Sequence, residues 1–139
     1  MRIHASELSY RTTGDTDILD ITDDVRSALA ASGVSEGAMT LFVPGSTAAL
    51  TTIEFESGAV EDLRRAVERL APKGLHYDHD ARWGDGNGYS HVRAALLGPS
   101  LAVPVRKGEP ALGTWQQVVL LDFDNRPRTR RVLVQVMGN

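Results

Sequence analysis

Arg130-Arg131-Val132-Leu133-Val134-Gln135-Val136-Met137 carries a valine at every second position from Val132. That period of two puts Val132, Val134 and Val136 on one face of a strand and Leu133, Gln135 and Met137 on the other. Asp124-Asn125-Arg126-Pro127 just before it is a turn composition, and residues 114–121 before the turn also favour strand. Two strands joined so closely run antiparallel. Residues 101–106 add another strand. Residues 3–11, 39–43 and 48–55 add three more, the last on the preferences of Thr51, Thr52, Ile53 and Phe55.

Helical periodicity interrupts these strands. Ile21, Val25 and Leu29 recur every four residues; Asp20 or Thr22 is placed to cap that helix, Asp23 and Asp24 suit its positive end, and Gly33 is a C-terminal stop. The clearest helix covers 59–71. Val60, Leu63, Val67 and Leu70 form its apolar face, while Glu61 with Arg65 and Arg64 with Glu68 are charge pairs four apart on the exposed one. Residues 91–97 suit a short helix halted by Gly98-Pro99. Strands and helices mix without a βαβ rhythm. The expectation is a single compact α+β domain over 1–139, mainly antiparallel sheet or sandwich with two principal helices.

Bulk properties exclude several classes. A formal charge of -3 gives no general attraction for nucleic acid or an anionic membrane. The absence of cysteine rules out disulfides, thiolate catalysis and cysteine-based zinc sites. Met1-Arg2-Ile3-His4 lacks the apolar run of a signal peptide, and no stretch reaches transmembrane length, so the expected location is cytoplasmic.

Chemistry concentrates between residues 76 and 91. His76, His79 and His91 are interleaved there with Asp78, Asp80 and Asp85 on a segment carrying Gly84, Gly86 and Gly88. Imidazoles and carboxylates gathered on a glycine-rich segment suit a metal site, an acid/base site in which His79, Asp80 and His91 are the catalytic candidates, or plain solvent exposure. Pro44-Gly45-Ser46-Thr47-Ala48 follows a core strand, and its small hydroxyl residues suit an anion cradle or an ordinary turn. Neither a nucleophile elbow, a Walker-type loop nor a dinucleotide fingerprint occurs, so no nucleotide cofactor is expected. Glu54 is a carboxylate among strand-favouring neighbours, suited to act as base or ligand or to face water. Arg128 and Arg130 would share one strand face, where they suit a phosphate, a solvated edge or a subunit contact. Trp115 and Gln116 offer an aromatic wall and an amide, or a core or interface tryptophan.

The order of these blocks is more specific than any one of them. Ser100-Leu-Ala-Val-Pro-Val-Arg-Lys-Gly108 followed by Gly113-Thr114-Trp115-Gln116 resembles the signature of the YjbQ family, the secondary thiamine-phosphate synthase family. Ser46 to Glu54 resembles its second block, His79-Asp80 with Asn87-Gly-Tyr-Ser-His91 its third, and Asp124 to Arg128 with Arg130 its fourth. Gly45 departs from the pattern by standing where many of that family carry histidine, so no role for that imidazole transfers.

The resemblance implies an α+β domain assembling as a homotrimer with sites near subunit boundaries. It also implies a weak thiamine-phosphate synthase activity, in which hydroxymethylpyrimidine pyrophosphate loses pyrophosphate to attack by a thiazole phosphate nitrogen. Charge building on the leaving group calls for a metal ion or arginine. On that reading His79 and His91, helped by Asp80 or Glu54, hold a divalent metal, zinc or magnesium. Ser46 and Thr47 with Arg128 or Arg130 receive phosphate oxygens, Trp115 and Gln116 face the pyrimidine, and Asn87 binds substrate or fixes His91. A metal-dependent hydrolase of a small phosphorylated or acyl substrate, and a non-catalytic trimeric binder of a small anionic metabolite, are the alternatives.

Overall fold

The structure is a computed structural model describing residues 1–139. Its elements, in chain order, are β1 (Arg2–Thr12), β2 (Asp17–Asp20), α1 (Thr22–Ser32), β3 (Glu36–Phe42), β4 (Ala48–Ile53), α2 (Ser57–Leu70), α3 (Asp78–Trp83), α4 (Gly88–Leu97), β5 (Ser100–Arg106), β6 (Glu109–Pro110), β7 (Gln117–Asp122) and β8 (Arg128–Gly138). They build two antiparallel sheets, one ordered β1-β8-β3-β5-β6 and one ordered β2-β7-β4.

The valine face of β8 does what its alternation requires. Val132, Val134 and Val136 pack with Met39, Leu41, Val103 and Val105 of the larger sheet against Leu50, Val118 and Leu120 of the smaller one, and α1 closes this core with Ile21, Val25 and Leu29. A second core lies on the other face of the smaller sheet. Ala49, Val119, Leu121 and Phe123 there meet Val60 and Val67 of α2 and Ala94 of α4. The three-stranded sheet is therefore covered on both faces, which is why Val118 to Leu121 reads as an unbroken apolar run. The far face of the larger sheet is left to solvent, with Ile3 beside Met137 and Phe42 beside Leu133.

Several local expectations need correction. The two principal helices are α1 and α2, the expected short helix α4 starts earlier and reaches ten residues, and α3 forms inside the segment read as a loop. Short strands β2 and β6 join as sheet edges, and β7 starts at Gln117, after a turn in which Gln116 N–H donates to Gly113 O. Asp20 accepts from the backbone and hydroxyl of Thr22 at 3.0 and 2.6 Å, although the residue at the cap position is Ile21. Gly33 does end α1 in the left-handed conformation. Helix α2 begins at Ser57 because Glu56 accepts from the amides of Gly58 and Ala59. Leu70 is left exposed, and the charge pairs are Glu61 with Arg64 and Asp62 with Arg65. Glu68 instead binds the buried guanidinium of Arg93 on α4.

Candidate functional site

Three chain segments are tied together where β7 ends. The Phe123 amide donates to Thr47 O at 2.9 Å, the Ser90 hydroxyl donates to Phe123 O, and the Asp15 amide donates to Asp124 O at 2.7 Å. These bonds fix the loop before β4, the turn between β7 and β8, and the first turn of α4 around a cavity of about 340 Å³.

Two buried aspartates support its floor, Asp124 in the lining and Asp122 beneath it. Asp122 accepts from Arg130 Nε at 2.7 Å and Nη2 at 2.9 Å, a two-pronged pair that also receives the Thr12 hydroxyl. Asp124 accepts from the Thr47 hydroxyl at 2.9 Å and from Arg128 Nε at 3.0 Å. Thr47 in turn accepts from Arg130 Nη2 at 2.6 Å, which links the two pairs. Burial by itself would raise both carboxyls. The bonds from Arg130 and Thr12 outweigh it at Asp122, and those from Thr47 and the Asn125 amide outweigh it at Asp124, so both lie below the usual carboxylate range.

The histidine segment forms the mouth. Tyr77 starts α3, and Gly84 ends it by donating its amide to Asp80 O at 2.8 Å. Gly88 then lets α4 lie against α3, since a Cβ there would meet Tyr77 Cβ at 2.5 Å. Its amide lands on Asp80 Oδ1 at 2.8 Å. His79 Nδ1 is 3.4 Å from Asp80 Oδ1 and 3.4 Å from Asp85 Oδ1. One ligand atom from each of these three residues lies within 4.8 Å of the others. Ligands about 2.1 Å from a tetrahedral ion stand roughly 3.4 Å apart, so the donor set fits a divalent cation. The His91 ring lies 4.3 Å from the His79 ring, tilted by 40°. Burial, and then the neighbouring His79, push the His91 imidazole below its ordinary value. Asn87 lies between Asp124 and Asp85. Its amide group is better satisfied facing Asp85, at 3.0 and 3.2 Å, than at 3.5 Å from Asp124.

The remaining wall offers donors. The backbone amides of Gly45, Ser46 and Thr47 have no acceptor within the chain, and neither does Nη1 of Arg128 or of Arg130. The two arginines do share the inward face of β8, but each commits its Nε and Nη2 to the carboxylates of Asp122 or Asp124. Only the outer nitrogens are left for a phosphate.

Of the residues singled out from sequence, Ser46, Thr47, His79, Asn87, His91, Arg128 and Arg130 line this one cavity, and Asp80 stands behind His79. Glu54, Trp115 and Gln116 do not join them. Strand β4 runs from Ala48, opposite Asp122, to Ile53, opposite Gln117, which puts these three roughly 17 Å from the floor. Gln116 there donates to Thr52 Oγ1 at 3.0 Å, and Trp115 is 72 % exposed. Asp85, Trp83 and Asp124 in the cavity lining, and Asp122 beneath it, are residues to which sequence reasoning gave no role. Asp85 lay in the noted cluster, while Asp122 carried no signal beyond its place at the end of an apolar run.

The fold and this cavity define a small antiparallel α+β domain with a polar, histidine- and aspartate-lined site. The chain belongs to the family described as UPF0047 protein YjbQ-like, whose pattern matches residues 6–139. It is 41 % identical over 131 residues to a UPF0047 protein of Archaeoglobus fulgidus, covering 94 % of this chain and 99 % of that one. It is 38 % identical over 138 residues to one of Methanothermobacter thermautotrophicus, covering 99 % and 94 %. The crystal structure of a YbjQ-like protein of unknown function from Sulfolobus solfataricus superposes with a TM-score of 0.94 at 29 % identity, covering 99 % of each chain. No helix is long and apolar enough to cross a membrane.

Proposed function

We propose that this chain is an enzyme whose cavity takes the pyrophosphate or phosphate of a small metabolite beside a divalent cation, zinc or magnesium. The proposed reaction joins hydroxymethylpyrimidine pyrophosphate to thiazole phosphate with release of pyrophosphate. The observation that carries the reading is the convergence of His79, Asp80 and Asp85 within 4.8 Å, on a cavity whose other wall holds the unbonded amides of Gly45, Ser46 and Thr47. A bound divalent ion would supply positive charge against the leaving pyrophosphate. His79, Asp80 and Asp85 are the residues to hold it, with His91 packed on the His79 ring to fix its orientation. On this reading the amides and the outer arginine nitrogens would donate to the phosphate oxygens, and the buried carboxylates keep Thr47 and both guanidiniums in position.

The same proposal includes a homotrimer in the cytoplasm. Bare apolar side chains on the outer sheet face and the exposed Trp115 supply surface for subunit contacts, and the lack of cysteine suits a reducing compartment. Sedimentation velocity would show a species of about three times 15.1 kDa; a monomer would remove that part.

The test is thiamine-phosphate formation from the two phosphorylated precursors, with chelation and metal re-addition, in wild type, His79→Ala and His91→Ala. Product that depends on metal and is lost in both folded variants supports the proposal. Turnover and metal content unchanged in both variants refute it. Phosphate or pyrophosphate released without coupling marks a hydrolase, and a ligand-dependent rise in Tm without turnover marks a binding protein.

A further inference from the structure

A second cavity of about 250 Å³ adjoins the polar one and shares Gly45, Ser46 and His91 with it. Its own walls are Ala48, Ala94, Ala95 and Pro99. None of these four carries a charge or a side-chain hydrogen-bonding group, whereas the polar cavity has a single apolar residue in its lining, Trp83. A ligand spanning both would meet amides, guanidinium nitrogens and carboxylates at one end and methyl groups with a proline ring at the other. His91 lines both cavities. Gly45 stands at the junction with a φ of 121°, a conformation that favours glycine.

We propose that this slot is the specificity subsite. It takes the uncharged ring or short alkyl group of a small phosphate ester whose phosphate sits in the polar cavity, and so it rests on the phosphate reading given above. The chemistry of the two linings supports the division, because an anion in the slot would have no donor and an alkyl group in the polar cavity would displace water from charged groups. Volume supports it too. An apolar cavity of about 150 Å³ accommodates benzene, so a six-membered ring fits with room to spare. A ring one methylene away from its phosphate bridges the junction, which is also the geometry of a pyrimidinylmethyl pyrophosphate. Ala95, exposed on α4, lines the slot, so a larger side chain there would fill it.

The probes are inorganic phosphate, methyl phosphate and benzyl phosphate, titrated in magnesium buffer by calorimetry and followed by NMR of alanine methyl groups. Benzyl phosphate should bind roughly ten- to thirtyfold tighter than methyl phosphate, as expected for burying most of one ring face. It should shift the Ala48, Ala94 and Ala95 methyls, while inorganic phosphate shifts only the amides of Gly45 to Thr47. Ala95→Phe should erase the benzyl advantage and leave inorganic phosphate affinity unchanged, and Ala95→Ser, which keeps the space, should preserve most of it. Equal affinities of the two esters, or a benzyl advantage that survives Ala95→Phe, would overturn the subsite. Inorganic phosphate that fails to bind at all would refute the polar-cavity reading instead. Benzyl alcohol then decides the slot alone: shifts at the three alanines retain it as an apolar site, and their absence eliminates it.

Discussion

Asp122→Ala removes one partner of the ion pair beneath the cavity while leaving the other in place. Arg130, only 8 % exposed, would lose acceptors at 2.7 and 2.9 Å, and the Thr12 hydroxyl and Asp124 amide would lose theirs. Hydrogen bonds to charged groups contribute about 1.5–3 kcal/mol each. Breaking a buried pair from one side costs about 3–5 kcal/mol; Arg130 keeps Asp124 at 3.8 Å and an outer nitrogen on the cavity, which holds the loss below the top of that range. A loss of about 4 kcal/mol is therefore expected, from a total that for a chain of this length is roughly 7–20 kcal/mol. That corresponds to a drop in Tm of about 12–16 °C. Guanidinium unfolding of wild type, Asp122→Ala, Arg130→Met and the double variant Asp122→Leu/Arg130→Met measures it. The double variant should recover most of the loss, since neither charge is left alone. A loss below about 1 kcal/mol with unchanged m value, or single-variant effects that simply add, would refute the view that this pair is held by mutual burial.

Acid stability follows from the same two carboxyls. Both have folded-state values below their unfolded ones, so the stability they contribute is complete above about pH 4 and is lost as pH falls through the lowered folded values; urea unfolding from pH 5 to 2 should show this fall, and Asp122→Asn should flatten it. Gly14→Ala should cost about 2–3 kcal/mol in thermal unfolding, because the backbone there has a φ of 79° and a Cβ would lie 2.7 Å from the carbonyl oxygens of Arg126 and Asp124. A stable Gly14→Ala variant would mean that the turn relaxes freely. For the metal, His79→Ala and Asp85→Ala should each weaken manganese binding by at least about tenfold, while Glu54→Gln and Trp115→Ala leave it unchanged. Electron paramagnetic resonance of free manganese reads all four variants.

What was legible in the sequence follows from which surfaces are one-sided. Strand β8 has one buried face, so its alternation is plain, whereas β7 is covered on both faces and its apolar run carries no period to mark its start. Helix α3 buries none of its six residues, so no periodicity could reveal it. His79 and His91 were visible because they are close in sequence as well as in space. Asp122 and Asp124 were not, although their arginine partners lie only eight and four residues on, because the hydroxyls of Thr12 and Thr47 that complete the cluster are 110 and 77 residues away and Asp124-Asn125-Arg126-Pro127 reads equally well as an exposed turn. The order of the Trp115 and Gln116 block along the chain likewise says nothing about which end of a strand it occupies, and the fold sets it at the opposite end from His79 within one chain.

The full-length pairing of β1 with β8, from Arg2 opposite Gly138 to Thr12 opposite Arg128, bears on how the molecule is made on a ribosome. Strand β8 sits between β1 and β3, so the interior of the larger sheet is filled by a strand that leaves the exit tunnel after the seven others described here. Until then β1 has no neighbour, β3 is zipped on one side only, and the cavity lacks Arg128 and Arg130, leaving Asp122 and Asp124 without their counter-charges. Closing such distant pairings is slow and leaves strand edges bare in the meantime. Nascent chains stalled before Arg128 should therefore lack protease resistance and be prone to edge-to-edge association, with the ligand site and the sheet maturing together as the final strand docks.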